Sequence, residues 1–202
     1  MAILRSLLFV PGNQSNMLEK AMGLKPDAIV PDLEDSVTID EKERARGIVA
    51  TFLPKLASGS PLVFPRINSL GSGLLEADLA VLVGPHIHGI SVGKIESAAD
   101  IHRVSQTLSQ LEQRSGLENG HLKIIPWAET AMGIVNAYSI CAASPRIVAV
   151  AFGAEDYTND LEIERTDSQT EIAYPRSVVA VAARAANVQA LDTPYFAFKN
   201  TD

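Results

Sequence analysis

The chain has 202 residues, 47% of them hydrophobic, which is enough to bury the core of one sizeable domain but not of two. Charged residues make up 20%, and there are only 13 glycines and 11 prolines, so a disordered chain and a low-complexity fibre are both excluded. The net charge is −7, from 24 acidic and 17 basic side chains. A chain of this sign lacks the basic surface that nucleic acid or an anionic membrane requires, and we expect neither as a partner.

Cysteine content and hydropathy point to the compartment. Cys141 is the only cysteine, which excludes a disulfide framework and a cysteine-ligated zinc site and favours a reducing cytoplasm. No apolar run approaches the roughly 18–20 residues that span a bilayer. The first run, residues 7–10, stops at Pro11 and Gly12 and is too short for a signal peptide. We therefore predict one cytoplasmic domain over residues 1–202.

Short apolar runs recur along the chain, and each ends in a polar residue or in glycine and proline. Because continuous runs rich in β-branched residues are typical of strands covered on both faces, these runs predict a parallel sheet. The predicted strands cover residues 6–10, 28–30, 62–64, 89–92, 123–125, 148–152 and 189–191.

Helical patterns fill the segments between the predicted strands. Thr38 with Glu41, and Ser97 with Asp100, have the spacing of a capping box and each predict the start of a helix. The predicted helices cover residues 16–22, 38–52, 74–83, 97–114, 131–143 and 175–186. Strands and helices therefore alternate, which is typical of an α/β fold.

The spacing of the strand ends favours one α/β fold over another. Successive ends are about 30 residues apart, the length of one βα unit. No Gly-x-Gly-x-x-Gly follows the first strand, so a dinucleotide-binding sheet has little support. A TIM (β/α)8-type barrel fits better, although such barrels normally need roughly 250 residues. We expect a single barrel domain that lacks its last βα unit or is completed in an unusual way.

Charged residues follow nearly every predicted strand, where a barrel of this type places its active site. Carboxylates that converge there repel one another unless a cation lies among them. Oxygen ligands without neighbouring histidine or cysteine favour magnesium or manganese over zinc. The strand-end residues are Asp32, Glu34, Asp35, Arg66, Lys94, Glu129, Glu155, Asp156 and Asp192.

Most of these residues also have a structural interpretation. Asp32 could cap the next helix, Arg66 could form an ion pair in the barrel wall, and Lys94 could be solvated. Glu129 and Asp156 are the strongest functional candidates, because each follows a buried strand where an uncompensated charge is unfavourable.

Seven segments, taken together and in chain order, resemble the citrate lyase beta subunit family within the wider HpcH/HpaI aldolase/citrate lyase superfamily. They are Arg-Ser-Leu-Leu-Phe-Val-Pro-Gly from position 5, Asp-Leu-Glu-Asp-Ser-Val from 32, Lys42 with Ala45-Arg46, Pro-Arg-Ile-Asn from 65, Lys-Ile-Glu-Ser from 94, Glu-Thr-Ala-Met-Gly from 129 and Phe-Gly-Ala-Glu-Asp-Tyr from 152. The resemblance extends over nearly the whole chain.

The resemblance implies roles for individual residues. Positions matching Glu129 and Asp156 bind Mg²⁺ in the family, and Glu129 also lies against the substrate. The position matching Arg66 contacts a carboxylate or carbonyl oxygen of the substrate. Glu34 and Asp35 are implied to act in catalysis by holding metal-bound water or substrate, and either one, or that water, is a candidate base.

The same resemblance implies the reaction and the partners. A Mg²⁺-dependent lyase of this family cleaves a 2-hydroxyacyl thioester, such as citramalyl-CoA or a citryl thioester of CoA or acyl carrier protein, into an acetyl thioester and a 2-oxo acid. Arg5 matches a substrate contact of some members, although a role at the entry of the first strand is the alternative. The resemblance also implies a homo-oligomer, with a trimer as the preferred state.

The sequence is compatible with three alternatives. The substrate could be a malyl or methylmalyl thioester, the enzyme could be a Mg²⁺-dependent aldolase of free oxo acids, or the chain could be a non-catalytic relative that acts by subunit association. Relatives continue for roughly another 70–90 residues, which contain the last βα unit and a C-terminal helical lid. We expect the chain to be truncated before both.

Overall fold

The computed structural model describes residues 3–195, and its centre is a sheet in which all paired strands are parallel. The strands are β1 (Leu7–Pro11), β2 (Ala28–Asp32), β3 (Leu62–Val63), β4 (Arg66–Ile67), β5 (Gly89–Val92), β6 (Lys123–Ala128), β7 (Ala149–Phe152) and β8 (Gln189–Leu191). The seven predicted strands overlap β1, β2, β3, β5, β6, β7 and β8, whereas β4 lies just beyond the strand predicted over 62–64.

The interruption between β3 and β4 falls at Pro65, which has no backbone N–H to donate to a neighbouring strand. Pairing continues across it, since the Phe64 N–H donates to the Ile29 carbonyl (3.0 Å) and the Ser91 N–H donates to the Pro65 carbonyl (2.9 Å). The chain therefore keeps its place between β2 and β5 through this segment.

The sheet follows the order β1-β2-β4-β5-β6-β7-β8, with β3 beside β2. Within residues 3–195 no strand ladder joins β8 back to β1. The two edges nevertheless approach each other, because the Leu4 N–H, just before β1, donates to Gln189 Oε1 of β8 at 2.8 Å. The fold is thus a curled, half-barrel α/β sheet, which confirms the predicted parallel α/β class. The missing last unit and lid stay predictions.

The helices lie between successive strands, except between β3 and β4. They are α1 (Ser15–Ala21), α2 (Lys42–Ala57), α3 (Leu75–Leu82), α4 (Ala98–Arg114), α5 (Ala131–Val135), α6 (Ala137–Cys141), α7 (Ala154–Asp160) and α8 (Thr170–Ala185). In the part of the chain that the structure describes, no helix is both long and apolar enough to cross a membrane.

Apolar side chains cover both faces of the curled sheet. Two clusters lie between strands and helices, and they include Ile29 and Val49 in one and Val150 and Val179 in the other. A third cluster, built around Phe64, Ile125 and Trp127, fills the inside of the curl. Burial on both faces is the physical reason why the strands are continuous apolar runs.

Of the two predicted capping boxes, the one at Ser97 forms and the one at Thr38 does not. Ser97 caps α4 as expected: its hydroxyl accepts from the Asp100 N–H, and the Asp100 carboxylate accepts from the Ser97 N–H. The Thr38 side chain makes no capping hydrogen bond within residues 3–195, and a short 3₁₀ turn precedes α2. The prediction for Thr38 was wrong because the Glu41 carboxylate accepts from Asn13 Nδ2 (2.6 Å) and from Arg44 instead of folding back.

Three further helix boundaries differ from the predictions. Helix α2 continues to Ala57 through an internal proline, because Leu53 and Leu56 on both sides of Pro54 are buried. The helix predicted over 131–143 is divided at Asn136 into α5 and α6, and α8 begins at Thr170, five residues earlier than predicted. Helix α7 was not predicted at all.

Ser97→Ala is expected to lower the free energy of unfolding by about 1 kcal/mol, because it removes the acceptor for an N–H at the start of α4. Thr38→Ala is the matched control and should change stability by less than about 0.5 kcal/mol. Urea unfolding followed by circular dichroism measures both. Equal losses for the two variants would contradict this account of the helix starts.

Candidate active site

Residues in or just after β2, β4, β5, β6 and β7 meet at the carboxyl edge of the sheet. We call this group the strand-end cluster: Asp32, Glu34, Asp35, Arg66, Lys94, Glu129 and Asp156. It contains five carboxylates and two cationic side chains. Parallel strands all end at one edge, so seven residues spread over about 125 positions of the sequence become neighbours.

Asp32 and Arg66 form a two-point ion pair at the base of the cluster. They are register partners on β2 and β4, and Arg66 Nε and Nη2 donate to the two Asp32 oxygens at 2.7 and 2.6 Å. Asp32 also accepts from the Glu34 N–H (2.8 Å) and the Ser36 N–H (3.3 Å). Burial by itself raises the pKa of Asp32, but the Arg66 guanidinium lowers that pKa below its usual value. The Asp32 carboxylate is therefore charged and holds both Arg66 and the following turn.

The Arg66 guanidinium has little freedom. Its Nη1 donates to Asp35 Oδ2 at 2.9 Å, and its Cζ lies 5.4 Å from the ring centre of Phe9. Within the part of the chain that the structure describes, three of its five N–H groups are engaged, which leaves one on Nη1 and one on Nη2. The face formed by Nε and Nη2, which could have gripped a substrate carboxylate at two points, is occupied by Asp32.

Glu34 is a buried carboxylate whose two oxygens have different surroundings. Oε1 accepts from Lys94 Nζ at 3.2 Å, whereas Oε2 has no hydrogen-bond partner among residues 3–195, although Arg66 Nη1 lies 3.4 Å away. Burial raises the pKa of Glu34, and the charge of Asp35 raises it further against the opposing cations. An unpaired buried oxygen of this kind is a place where a ligand can bind.

Lys94 joins three parts of the cluster. Its backbone is in the left-handed region (φ 55°), and its N–H donates to Glu129 Oε1 at 2.7 Å. Its Nζ lies 3.4 Å from Asp35 Oδ1 and 3.9 Å from Asp156 Oδ2, in addition to the contact with Glu34. The predicted alternative of a simply solvated lysine is therefore wrong, although 37% of the side chain remains exposed.

Glu129 lies at the end of β6 and is 2% exposed. Burial, then the negative charges of Asp156 and Glu34, raise its pKa to about 8. Glycines make room for it: a Cβ at Gly153 would lie 2.2 Å from Glu129 Oε2, and one at Gly93 would lie 2.6 Å from Glu129 Oε1. Asp156, in the first turn of α7, is the more accessible partner, with 32% of its side chain exposed.

The cluster fits a divalent cation by its chemistry. It offers carboxylate oxygens, carries more negative than positive side chains, and contains the unpaired Glu34 Oε2. Within residues 3–195, no three His, Cys, Asp or Glu side chains form a ready-made metal cage. Mg²⁺ needs no such cage, because it is usually held by one or two carboxylates and keeps several waters. Glu129 and Asp156 are suited to that mode of binding.

Arg5 is placed at the opposite edge of the sheet from the cluster. It precedes β1 and pairs with Asp27, which precedes β2, through Nη2–Oδ1 and Nε–Oδ2 distances of 2.7 and 3.1 Å. Because parallel strands begin at the edge away from their carboxyl ends, the structure does not bring Arg5 to the candidate site. It supports the strand-entry interpretation instead.

Two other strand-end residues also stay outside the cluster. Asp192 is 61% exposed and accepts from Arg176 Nε at 2.9 Å, and Glu155 pairs with Arg165. Both carboxylates are engaged by arginines of neighbouring segments.

Several residues that build the site were given no role from the sequence. Lys42 Nζ donates to the carbonyls of Leu33 and Glu34 at 2.7 and 2.6 Å and so fixes the acidic turn. Phe9, below Arg66, meets Trp127 edge-to-face at 5.6 Å between ring centres. Lys42 belongs to one of the segments that resemble the family. Nothing in the neighbouring sequence indicated that it would bind carbonyl groups eight and nine residues earlier.

The curled sheet of parallel strands, with carboxylates at its carboxyl edge, identifies the chain as a half-barrel α/β protein. Over residues 5–202 the chain matches the HpcH/HpaI aldolase/citrate lyase family, and it belongs to this family. This confirms the family resemblance carried by the seven segments.

Named relatives are lyases. The chain is 38% identical over 197 residues to the citrate lyase subunit beta of Haemophilus influenzae, covering 96% of this chain and 67% of that protein. It is 32% identical over 208 residues to the mitochondrial citramalyl-CoA lyase of Rattus norvegicus, covering 98% and 61%. The chain thus spans about two thirds of the length of these relatives.

A solved structure extends the comparison to three dimensions. The citrate lyase beta subunit of Mycobacterium tuberculosis, complexed with oxaloacetate and magnesium, has a TM-score of 0.78 to this chain at 26% identity. The match covers 99% of this chain and 84% of that one.

Asp32→Ala is expected to lower the free energy of unfolding by about 3–5 kcal/mol, because the buried Arg66 guanidinium loses its two-point partner and keeps only the contact with Asp35. Asp27→Ala is the matched control, since it removes a similar two-point pair at a more exposed position and should be less damaging. Denaturant unfolding compares the two variants. A larger loss for Asp27→Ala would show that the Asp32 pair does not have the importance assigned here.

The raised pKa of Glu129 predicts a pH dependence in metal-free buffer. The unfolded chain has a glutamate pKa of about 4.3, whereas the folded value is about 8, so the folded state binds this proton more tightly. Stability should therefore fall as the pH rises from about 5 to about 8. Glu129→Gln should flatten this slope, as measured by thermal unfolding in EDTA at several pH values. Parallel slopes for wild type and variant would contradict the assignment.

Proposed function

We propose that the chain is a Mg²⁺-dependent carbon–carbon lyase that cleaves a 2-hydroxyacyl thioester, of citramalyl or citryl type, into an acetyl thioester and a 2-oxo acid. The observation that carries this proposal is the meeting of Arg66, Glu129 and Asp156 at one edge of the sheet. The printed names of the relatives support it, since they are lyases of citrate and of citramalyl-CoA.

Glu129 and Asp156 are proposed to hold the cation. When bound there, Mg²⁺ would act as a Lewis acid toward the hydroxyl and carboxylate oxygens of the 2-hydroxy acid. Support comes from the donor set of the cluster and from the magnesium present in the Mycobacterium tuberculosis structure. Glu129 is buried and held by the Lys94 N–H, so it would supply the fixed ligand, and the more exposed Asp156 the adjustable one.

Arg66 is proposed to bind a carboxylate or carbonyl oxygen of the substrate. One N–H group on Nη1 and one on Nη2 are not engaged by any described residue and are available for this, because Asp32 and Asp35 occupy the others. A guanidinium that is fixed before the reaction stabilises negative charge on an oxygen without having to reorient. Its stacking on Phe9 and its pairing with Asp32 provide that fixation.

Glu34 is proposed to take the proton of the substrate hydroxyl, with Asp35 as a neighbouring group that orients substrate or water. Burial raises the pKa of Glu34 toward the operating pH, which favours proton transfer. As the O–H bond breaks, its electron pair forms the new carbonyl. The carbon–carbon bond breaks at the same time, and its pair passes to the thioester α-carbon, which a proton then converts to the acetyl thioester.

The partners are proposals as well. The thioester carrier is CoA or an acyl carrier protein, and the chain is proposed to form a homo-oligomer, with a trimer preferred. A malyl or methylmalyl thioester is the related substrate class.

Glu129→Ala and Asp156→Ala are expected to reduce kcat/KM by at least about 10²–10³-fold while the fold is retained, because each removes a ligand or its charge from the site. Asp192→Ala, which removes a strand-end carboxylate outside the cluster, is the matched control. Activity is measured with citramalyl-CoA, malyl-CoA, a citryl thioester and free 4-hydroxy-2-oxo acids, with Mg²⁺ or excess EDTA.

Cleavage of a thioester only with Mg²⁺ would support the proposal. Cleavage restricted to free oxo acids would indicate an aldolase instead. Full activity of Glu129→Ala, or full activity in EDTA, would overturn the mechanism. No cleavage of any of these substrates by a folded, Mg²⁺-binding protein would favour a non-catalytic role.

A further inference from the structure

The positively charged side chain of Lys94 lies where it would oppose the binding of a metal cation. Its Nζ is 3.9 Å from Asp156 Oδ2, and Asp156 is one of the two proposed cation ligands. It is also 3.2 Å from Glu34 Oε1 and 3.4 Å from Asp35 Oδ1. The ammonium group is therefore shared among three carboxylates from two different parts of the chain.

A divalent ion on Asp156 would lie about 2 Å from a carboxylate oxygen. Such an ion and the Lys94 ammonium would then be close neighbours, and like charges at this range repel strongly even in a partly solvated site. The lysine can move away, because 37% of its side chain is exposed and its stem is flexible. Glu34 and Asp35 remain available to it after such a movement.

We infer that Lys94 acts as a resident cation of the strand-end cluster, which competes with the divalent ion for Asp156 and sets how tightly that ion binds. This inference rests on the proposed cation site at Glu129 and Asp156. Lys94 stabilises the carboxylates when it is paired with them, and it yields Asp156 when the ion binds. The backbone N–H of Lys94 continues to hold Glu129 in both situations.

The backbone conformation of Lys94 indicates that its side chain has a role at this position. Lys94 adopts a left-handed conformation that glycine would adopt without strain, and the residue before it, Gly93, has no room for a Cβ beside Glu129 and Glu34. A lysine in this conformation directs a long cationic side chain toward three carboxylates that lie on both sides of it.

Lys94→Met is expected to bind Mg²⁺ about tenfold more tightly than wild type, because it removes the opposing charge and keeps the backbone. Isothermal titration calorimetry with MgCl₂ measures the affinity. The fluorescence of Trp127, the single tryptophan and two residues before Glu129, gives a second readout. Lys94→Arg keeps the charge and should stay near wild type. Lys25→Met removes the same charge from an exposed position before β2 and should also have little effect.

Thermal unfolding gives an independent signature. Lys94→Met should melt at a lower temperature than wild type in EDTA, because Glu34 loses its partner, and Mg²⁺ should raise its Tm by more than it raises that of wild type. If Lys94→Met does not fold, Lys94→Gln serves in its place, since it is neutral and can still donate to Glu34.

The possible outcomes separate the two claims. Absence of Mg²⁺ binding by the wild-type protein would overturn the proposed cation site itself. If wild type binds Mg²⁺ but the neutral variants bind it with the same or lower affinity, only the inference about Lys94 is overturned. Tighter binding by Lys94→Arg, to the same extent as by Lys94→Met, would show that shape and not charge is responsible.

Discussion

The buried pair of Arg66 and Asp32 is the interaction on which the carboxyl edge of this protein depends. A guanidinium and a carboxylate removed from water are each unfavourable alone, so each stabilises the charged form of the other. Asp32 also accepts two backbone N–H groups of the turn that carries Glu34 and Asp35. A single carboxylate therefore sets both the plane of Arg66 and the position of the acidic turn.

The rest of the strand-end cluster follows from the way a parallel sheet concentrates charge. Five carboxylates meet at one edge, and each must be balanced by a cation or carry a raised pKa. Arg66 and Lys94 provide two of the balancing charges. Lys42 fixes the acidic turn by donating to the carbonyls of Leu33 and Glu34. Gly93 and Gly153 lack the Cβ atoms that would displace Glu129. The result is an acidic site whose side chains hold one another in place.

Local patterns predicted the fold more successfully than the details of its helices. Thr38 and Ser97 begin motifs of the same spacing, yet only Ser97 forms the capping box. Glu41 differs from Asp100 because a partner 28 residues away, Asn13, takes its carboxylate. A motif describes what neighbours in sequence can do, and competing partners from distant segments decide whether they do it.

The sequence by itself determined the parallel α/β class, the family, and which residues stand at the ends of the strands, because apolar runs and their polar ends are local features. Only the tertiary structure decided which of those residues meet. It placed Arg5 at the opposite edge, assigned three N–H groups of Arg66 to acidic neighbours, and brought Lys94 between Glu34 and Asp156. These relations depend on strand register and on the curl of the sheet, and contacts across different strands leave no trace in the local pattern of the chain.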